Sequence, residues 1–193
     1  GAALSPAWHP TGRYLAFAQM ADDGTHIAVR DLVSGQSRRL GDLGGTNITP
    51  AFSPDGSTLV YSAGDDGTDL YAVSLFGGDA PRRVTVGRGS PTSSPTFSPD
   101  GRKIAFISGR LGHPEVYITD ADGANAELLT EAPSSDQPYR SSPDWSPDGR
   151  SVAFTSQEGA NLQVMVINVR DRRIRQLTGD ARNEDPSWAP DGR

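Results

Sequence analysis

Asp55, Asp100, Asp148 and Asp191 each stand in a Pro-Asp-Gly triplet, and these regularly spaced carboxylates have the most scope for chemistry in the chain. Paired carboxylates can act as acid and base, and a cluster of them can hold a cation. The triplet has a local role that uses the carboxylate differently. Proline pre-sets φ at the second position of a type I turn, Ser and Asp side chains bond nearby amides, and glycine takes the positive φ that closes a hairpin. The sequence therefore predicts structural turns at all these sites. That includes the copy where His9 and Thr11 replace Ser and Asp, and the one where Ala189 replaces Ser.

Other candidate chemistry is weaker. His9, His26 and His113 lack a catalytic neighbour pattern, and no Gly-x-Ser-x-Gly elbow occurs. Asp120 to Asn125 with Glu131 has the span of a calcium loop, but its glycine falls two places early and Ala124 occupies a ligand place. Gly87-Arg88-Gly89-Ser90-Pro91 has neither the third glycine nor the following helix of a phosphate loop. Asn47-Ile48-Thr49 is a glycosylation triplet, relevant only in a eukaryotic secretory host. Zero cysteines exclude disulfides and thiolate metal sites, and suit an oxidising compartment. No catalytic, cofactor-binding or metal-ligating residue is predicted, and the chain does not read as an enzyme.

The turns belong to a longer phrase, Pro-x-aromatic-Ser-Pro-Asp-Gly, whose closing glycines are Gly12, Gly56, Gly101, Gly149 and Gly192. They are spaced 44, 45, 48 and 43 residues apart. A period in the forties marks a repeat architecture. Large apolar residues follow each of the first four glycines at alternate positions, as in Leu59 and Tyr61 or Ile104 and Phe106, which is the period of a strand. A polar loop, a second alternating run such as Val116-Tyr117-Ile118, a turn and a short last strand such as Arg82-Arg83-Val84 complete each unit. The Pro-x-aromatic segment supplies the remaining strand, so each repeat is a four-stranded antiparallel meander.

The predicted fold is an all-β propeller. Its blades fall near residues 4–47, 48–92, 93–140 and 141–183, with the first strand of a fifth at 184–193, in a single region 1–193. Four blades and an extra strand make an arc of a larger propeller, six-bladed by the resemblance below, so the native chain is expected to continue or a partner to cover the open blade faces. Arg38, Arg39, Arg82, Arg83 and Arg175 on the outer strands are the charges expected where a sheet edge faces water.

Lys+Arg 18 against Asp+Glu 24 gives a net charge of −6, so no nucleic acid or anionic lipid partner is predicted. No apolar run approaches the roughly 18 residues of a membrane span. The opening residues lack the basic and apolar regions of a signal peptide.

The aromatic-Ser-Pro-Asp-Gly turn, followed by strands like Ile104-Ala105-Phe106, resembles the TolB-type propeller repeat along essentially the whole chain. Pro50 to Gly56 and Gly112 to Tyr117 carry the resemblance most strongly. It implies a periplasmic, non-enzymatic scaffold of the Tol–Pal envelope system. Such a scaffold binds a protein partner, a Pal-like lipoprotein or subunits of an envelope complex, without spanning the membrane. Similar propellers also occur as accessory domains of serine peptidases and of membrane sensor kinases. A docking subunit of a respiratory or photosynthetic membrane-associated complex is a further alternative, because folds host many functions.

A meander places its short stereotyped turns at one end and its variable loops and blade-to-blade links at the other. Recognition concentrates on loops borne by a rigid scaffold. The partner-binding residues expected at the variable end are Thr46, Asn47, Arg88, Ser90, Gln137, Tyr139, Arg140, Asn183 and Glu184. Tyr139 and Arg140 lie in the longest link and are of types enriched in binding hot spots.

Overall fold

The computed structural model describes residues 2–87, 89–131 and 139–192, and among these it contains strands and turns without a helix. The first sheet joins β1 (Ala3–Trp8), β2 (Tyr14–Ala21), β3 (Gly24–Asp31) and β4 (Ser37–Gly41). The second joins β5 (Thr46–Phe52), β6 (Thr58–Gly64), β7 (Asp69–Ser74) and β8 (Arg82–Arg83). The third comprises β9 (Thr92–Phe97), β10 (Lys103–Ser108), β11 (Glu115–Asp120) and β12 (Glu127–Leu128). The fourth comprises β13 (Arg140–Trp145), β14 (Ser151–Glu158), β15 (Asn161–Asn168) and β16 (Ile174–Gln176). In every sheet the strands lie in chain order, so all four are the meanders that the sequence predicts. The chain divides into two compact units, Gly1–Pro95 and Thr96–Arg193.

The Ser-Pro-Asp-Gly turn is built as its residues dictate. The Gly56 N–H donates to Ser53 O at 2.8 Å, and Gly56 has φ 72°. Ser53 Oγ donates to Asp55 Oδ1 at 2.6 Å, and the Ser57 N–H donates to the same oxygen at 2.9 Å. The same pair of bonds recurs at Asp100 and Asp148. These donors stabilise the ionised form, led in each case by the serine hydroxyl, and hold all three carboxyls below their ordinary range. A group with a lowered folded pKa stabilises fully above the unfolded value and loses that contribution as pH falls through the folded one. Stability should therefore decline on acidification below about pH 4. Asp100→Asn should make that decline shallower, as read from thermal midpoints across an acid series.

His9 solves the same problem in the first copy with different atoms. Its Nδ1 accepts the Thr11 N–H at 3.2 Å, and its Nε2 donates to Gly56 O at 3.2 Å in the next blade's turn. The imidazole, only 6% exposed, also meets Tyr14 and Phe52 edge-on. It is a structural tie between adjacent turns.

The core forms where alternating apolar residues of one sheet, small ones among them, meet those of its neighbour. In the first unit, Ala16, Ala18, Ile27 and Val29 pack with Leu59, Tyr61, Ala63, Val73 and Leu75. In the second, Ala105, Ile107, Val116 and Ile118 pack with Trp145, Val152, Phe154 and Met165. The repeat positions occupied by Tyr61, Phe106 and Phe154 are fully buried, whereas their counterpart Phe17 is half-buried and Trp8 on β1 is 65% exposed.

One close approach sets residue choice in the first unit. A Cβ on Gly41 would meet the Tyr61 ring at 2.6 Å, so glycine lets that ring lie against the end of β4. The Tyr61 hydroxyl is buried there with no hydrogen-bond partner, and burial pushes its pKa up. An unsatisfied buried hydroxyl costs about 1–3 kcal/mol, so Tyr61→Phe should leave stability unchanged or raise it by about 1 kcal/mol in urea unfolding.

One backbone feature lies outside sequence expectation. Ser5, Thr49, Ser94, Ser142 and Asp185, each immediately before the repeat's proline, all adopt left-handed φ values of 50–55°. Residues before proline normally favour extended backbone, and non-glycine residues seldom take positive φ. Register shifts between Leu4 and Ala7, Ile48 and Ala51, and Ser141 and Asp144 mark the resulting bulges. Side chains help hold them: Thr49 Oγ1 accepts the Ser94 N–H at 3.2 Å, and Ser142 Oγ donates to the Asp185 carboxylate.

Candidate functional site

Within each sheet the variable loops and links lie at the end opposite the repeat turn, and a recurrent polar clasp builds this end. The first residue of β7 and of β11 is a buried carboxylate, Asp69 and Glu115, and Gln163 holds the matching place on β15. Each faces a threonine just past the outer strand: Thr85, Thr130 and Thr178. The threonine Oγ1 accepts the N–H of Leu70, Val116 or Val164, in each case at 2.9 Å. It donates in turn to Asp69 Oδ1 at 2.8 Å, to Glu115 Oε2, or to Gln163 Oε1 at 2.7 Å. The clasp anchors the start of every link that follows it. In the first blade Gly41 takes the threonine's place, and the buried Nδ1 of His26, where the acid would stand, has no partner.

Asn47 does the anchoring in the first unit. It is fully buried, and its Nδ2 donates to Thr25 O at 2.7 Å and Gly44 O at 2.9 Å. Its Oδ1 accepts the Leu43 N–H at 3.2 Å, and its own N–H reaches Thr25 Oγ1 at 2.6 Å. The glycosylation triplet therefore begins at a residue that is out of reach of solvent. Thr46 beside it is half-buried, and Ser90 is half-buried with its N–H on Gly87 O at 3.0 Å. Arg88 and Gln137 lie outside the described residues.

In the second unit Arg140 is 6% exposed and crosses between adjacent blades. Its Nε donates to Glu115 Oε2 at 3.3 Å, its Nη1 donates to Ser156 Oγ, and the guanidinium lies over the Phe154 ring at 5.3 Å. His113 Nε2 stands 3.3 Å from the other Glu115 oxygen. Tyr139, next in sequence to Arg140, is 47% exposed. Asn183 is tied by its N–H to Leu162 O at 2.8 Å and by its Nδ2 to Asp180 O at 2.6 Å, while Glu184 is exposed and paired with Arg182. Tyr139 and Glu184 thus face solvent, whereas Asn47 and Arg140 hold the loops that present such residues.

Asp144 on β13 also positions this chain segment. Its Oδ2 accepts the Trp188 N–H at 2.8 Å, and its carbonyl accepts the Trp188 indole N–H at 3.2 Å. Burial raises its pKa, opposed by the N–H donors of Trp188 and Trp145. The calcium-like segment is a hairpin: the Asp120 carboxylate is bound by Lys103 Nζ at 2.9 Å and Asn125 Nδ2 at 2.6 Å, and Asp122 accepts the Ala124 N–H. Among the described residues, no group of three or more His, Asp or Glu is placed to hold a metal ion.

The sequence profile of the TolB β-propeller domain matches residues 2–193. The chain belongs to the TolB β-propeller family. The TolB resemblance extends to individual relatives. The chain is 33% identical over 113 residues, 58% of its length and 25% of the relative's, to the Tol-Pal system protein TolB of Nitratidesulfovibrio vulgaris. It is 26% identical over 191 residues, 97% of its length and 43% of the relative's, to that of Francisella tularensis subsp. mediasiatica. It therefore spans less than half the length of these TolB relatives. The crystal structure of TolB from Acinetobacter baumannii superposes with a TM-score of 0.82 at 26% identity, over 99% of this chain and 47% of that one. A puromycin-hydrolyzing peptidase of Mycobacterium tuberculosis, with a TM-score of 0.72 at 19% identity over 91% of this chain and 31% of its own, shares the fold alone.

Proposed function

We propose that this chain is a non-catalytic, periplasmic protein-binding scaffold of the Tol–Pal type, which engages an envelope protein such as a Pal-like lipoprotein through its variable-loop end. The observation that carries the reading is the TolB likeness along nearly the whole chain. The architecture supports it: buried polar groups at the loop end bond to strand ends and links, and Tyr139 and Glu184 beside them are exposed. Preorganised loops lose little freedom on binding, which favours protein recognition. The turn end offers less variation, because its hydroxyls and carboxylates are engaged with each other and with the backbone.

Titration calorimetry with the soluble domain of Pal from the same organism tests the reading. Saturable binding is expected, and Tyr139→Ala with Glu184→Arg should weaken it about tenfold or more, as truncating a hot spot does. Absence of binding, or full binding by that variant, would count against this partner and this face respectively.

A further inference from the structure

A crevice of about 410 Å³ opens in the first unit between the outer edge of the first blade and the β7–β8 loop of the second. Val29 and Arg38 line it from β3 and β4, Tyr14 lines it from β2, and Phe76 lines it from the loop. Phe76 is 68% exposed and rests edge-on against Tyr14, with ring centroids 6.0 Å apart. Phe76 and Tyr14 together present apolar ring surface to the crevice, where another apolar group gains by inserting.

The strand beside the crevice is also unusual in this chain. β4 has 5 residues, against 2, 2 and 3 in the outer strands β8, β12 and β16. It pairs with β3 on one side and ends its sheet on the other, so its outer N–H and C=O groups face outward. Arg38 and Arg39 lie along it. Arg39 pairs with Asp42, and Arg38 donates to Leu75 O. Among the described residues no carboxylate pairs with Arg38. The carboxylate on the crevice rim, Asp31, is held by Arg13 at 2.9 Å and by the Val33 and Ser34 amides. The edge is therefore locally cationic on a chain of net charge −6. Such arginines repel a basic strand, as edge charges commonly do, and they match an acidic one.

We propose that the β4 edge and its crevice form a binding site for an extended, acidic segment of a partner protein, which adds as a fifth strand beside Ser37–Gly41 and seats an apolar side chain in the crevice against Tyr14 and Phe76. Main-chain hydrogen bonds supply the affinity in this mode, and the crevice and arginines supply the choice of sequence. The site is separate from the variable-loop end, because Tyr14 and Phe76 lie at the end of the first two blades that carries the His9–Gly12 and Ser53–Gly56 turns.

The probe is a labelled synthetic peptide, Glu-Val-Glu-Phe-Glu-Val-Glu, compared with its lysine-for-glutamate counterpart and with a version N-methylated at alternate amides. Fluorescence anisotropy should show saturable binding of the acidic peptide alone. Phe76→Ala and Arg38→Glu, both at exposed positions, should each weaken it about tenfold or more. Unchanged circular dichroism would show that these variants keep their fold. The proposal is overturned if the acidic peptide does not saturate, if the lysine or N-methylated peptide binds equally well, or if folded Phe76→Ala binds like the parent.

Discussion

Arg140→Met is expected to destabilise the protein by about 3–5 kcal/mol, the usual cost of removing one partner from a buried ion pair. Glu115 is fully buried and Arg140 is 6% exposed, so water cannot replace the lost guanidinium. Thr130 Oγ1 and His113 remain beside the carboxylate, and both together offer less than a charged, hydrogen-bonded guanidinium. Phe154 also loses the planar group that covers its ring. The pair as a whole is a different matter. Replacing both charges removes the attraction and the desolvation cost together, so Glu115→Gln with Arg140→Met should recover much of the loss. Urea unfolding of the two single variants and the double variant gives the coupling directly. A loss in the double variant equal to the sum of the two single losses would show that the residues do not act as a pair.

Asn47→Ala should cost about 3 kcal/mol, although it deletes only a small polar side chain. The amide satisfies Thr25 O, Gly44 O and the Leu43 N–H, and the site is closed to water. Each polar group left unpaired in a buried place costs about 1–3 kcal/mol, and partial relaxation of the link keeps the sum near the lower end. Asn47→Asp keeps the shape but loses both N–H donors and places a charge against two carbonyls, so it should be at least as damaging. Thermal unfolding followed by near-ultraviolet circular dichroism measures both. A loss below about 1 kcal/mol for Asn47→Ala would mean that the link is not held as the geometry indicates.

These residues show how much the sequence reveals and where it stops. The meander could be read from Leu59, Tyr61, Ile104 and Phe106, because alternation and the fixed distance from each glycine follow from strand geometry. The turn was legible for the same reason: Pro, Asp and Gly each have a local conformational preference. Asn47 and Arg140 were expected as partner contacts because polar residues in a link usually meet solvent. Their burial depends on what the neighbouring blade brings to them, Thr25 in one case and Glu115 in the other, and no local pattern carries that information. The Asp69–Thr85, Glu115–Thr130 and Gln163–Thr178 clasps went unread for a similar reason. Their signal was present as a polar residue opening the third strand and a threonine after the outer strand's last apolar residue, at near-constant separation. It becomes meaningful only once the strands are paired. The left-handed residues before each proline lay beyond sequence reasoning, because local propensity favours the opposite conformation.

On this reading partners meet the variable-loop end. Hydrogen exchange of the chain with and without the soluble domain of Pal from the same organism tests it most directly. Protection is expected at amides around Tyr139, at 181–185 and at 42–47, with the Ser-Pro-Asp-Gly turns at 53–56, 98–101 and 146–149 unchanged. Protection centred on those turns, with the loop end unaffected, would mean that the partner binds at the opposite end.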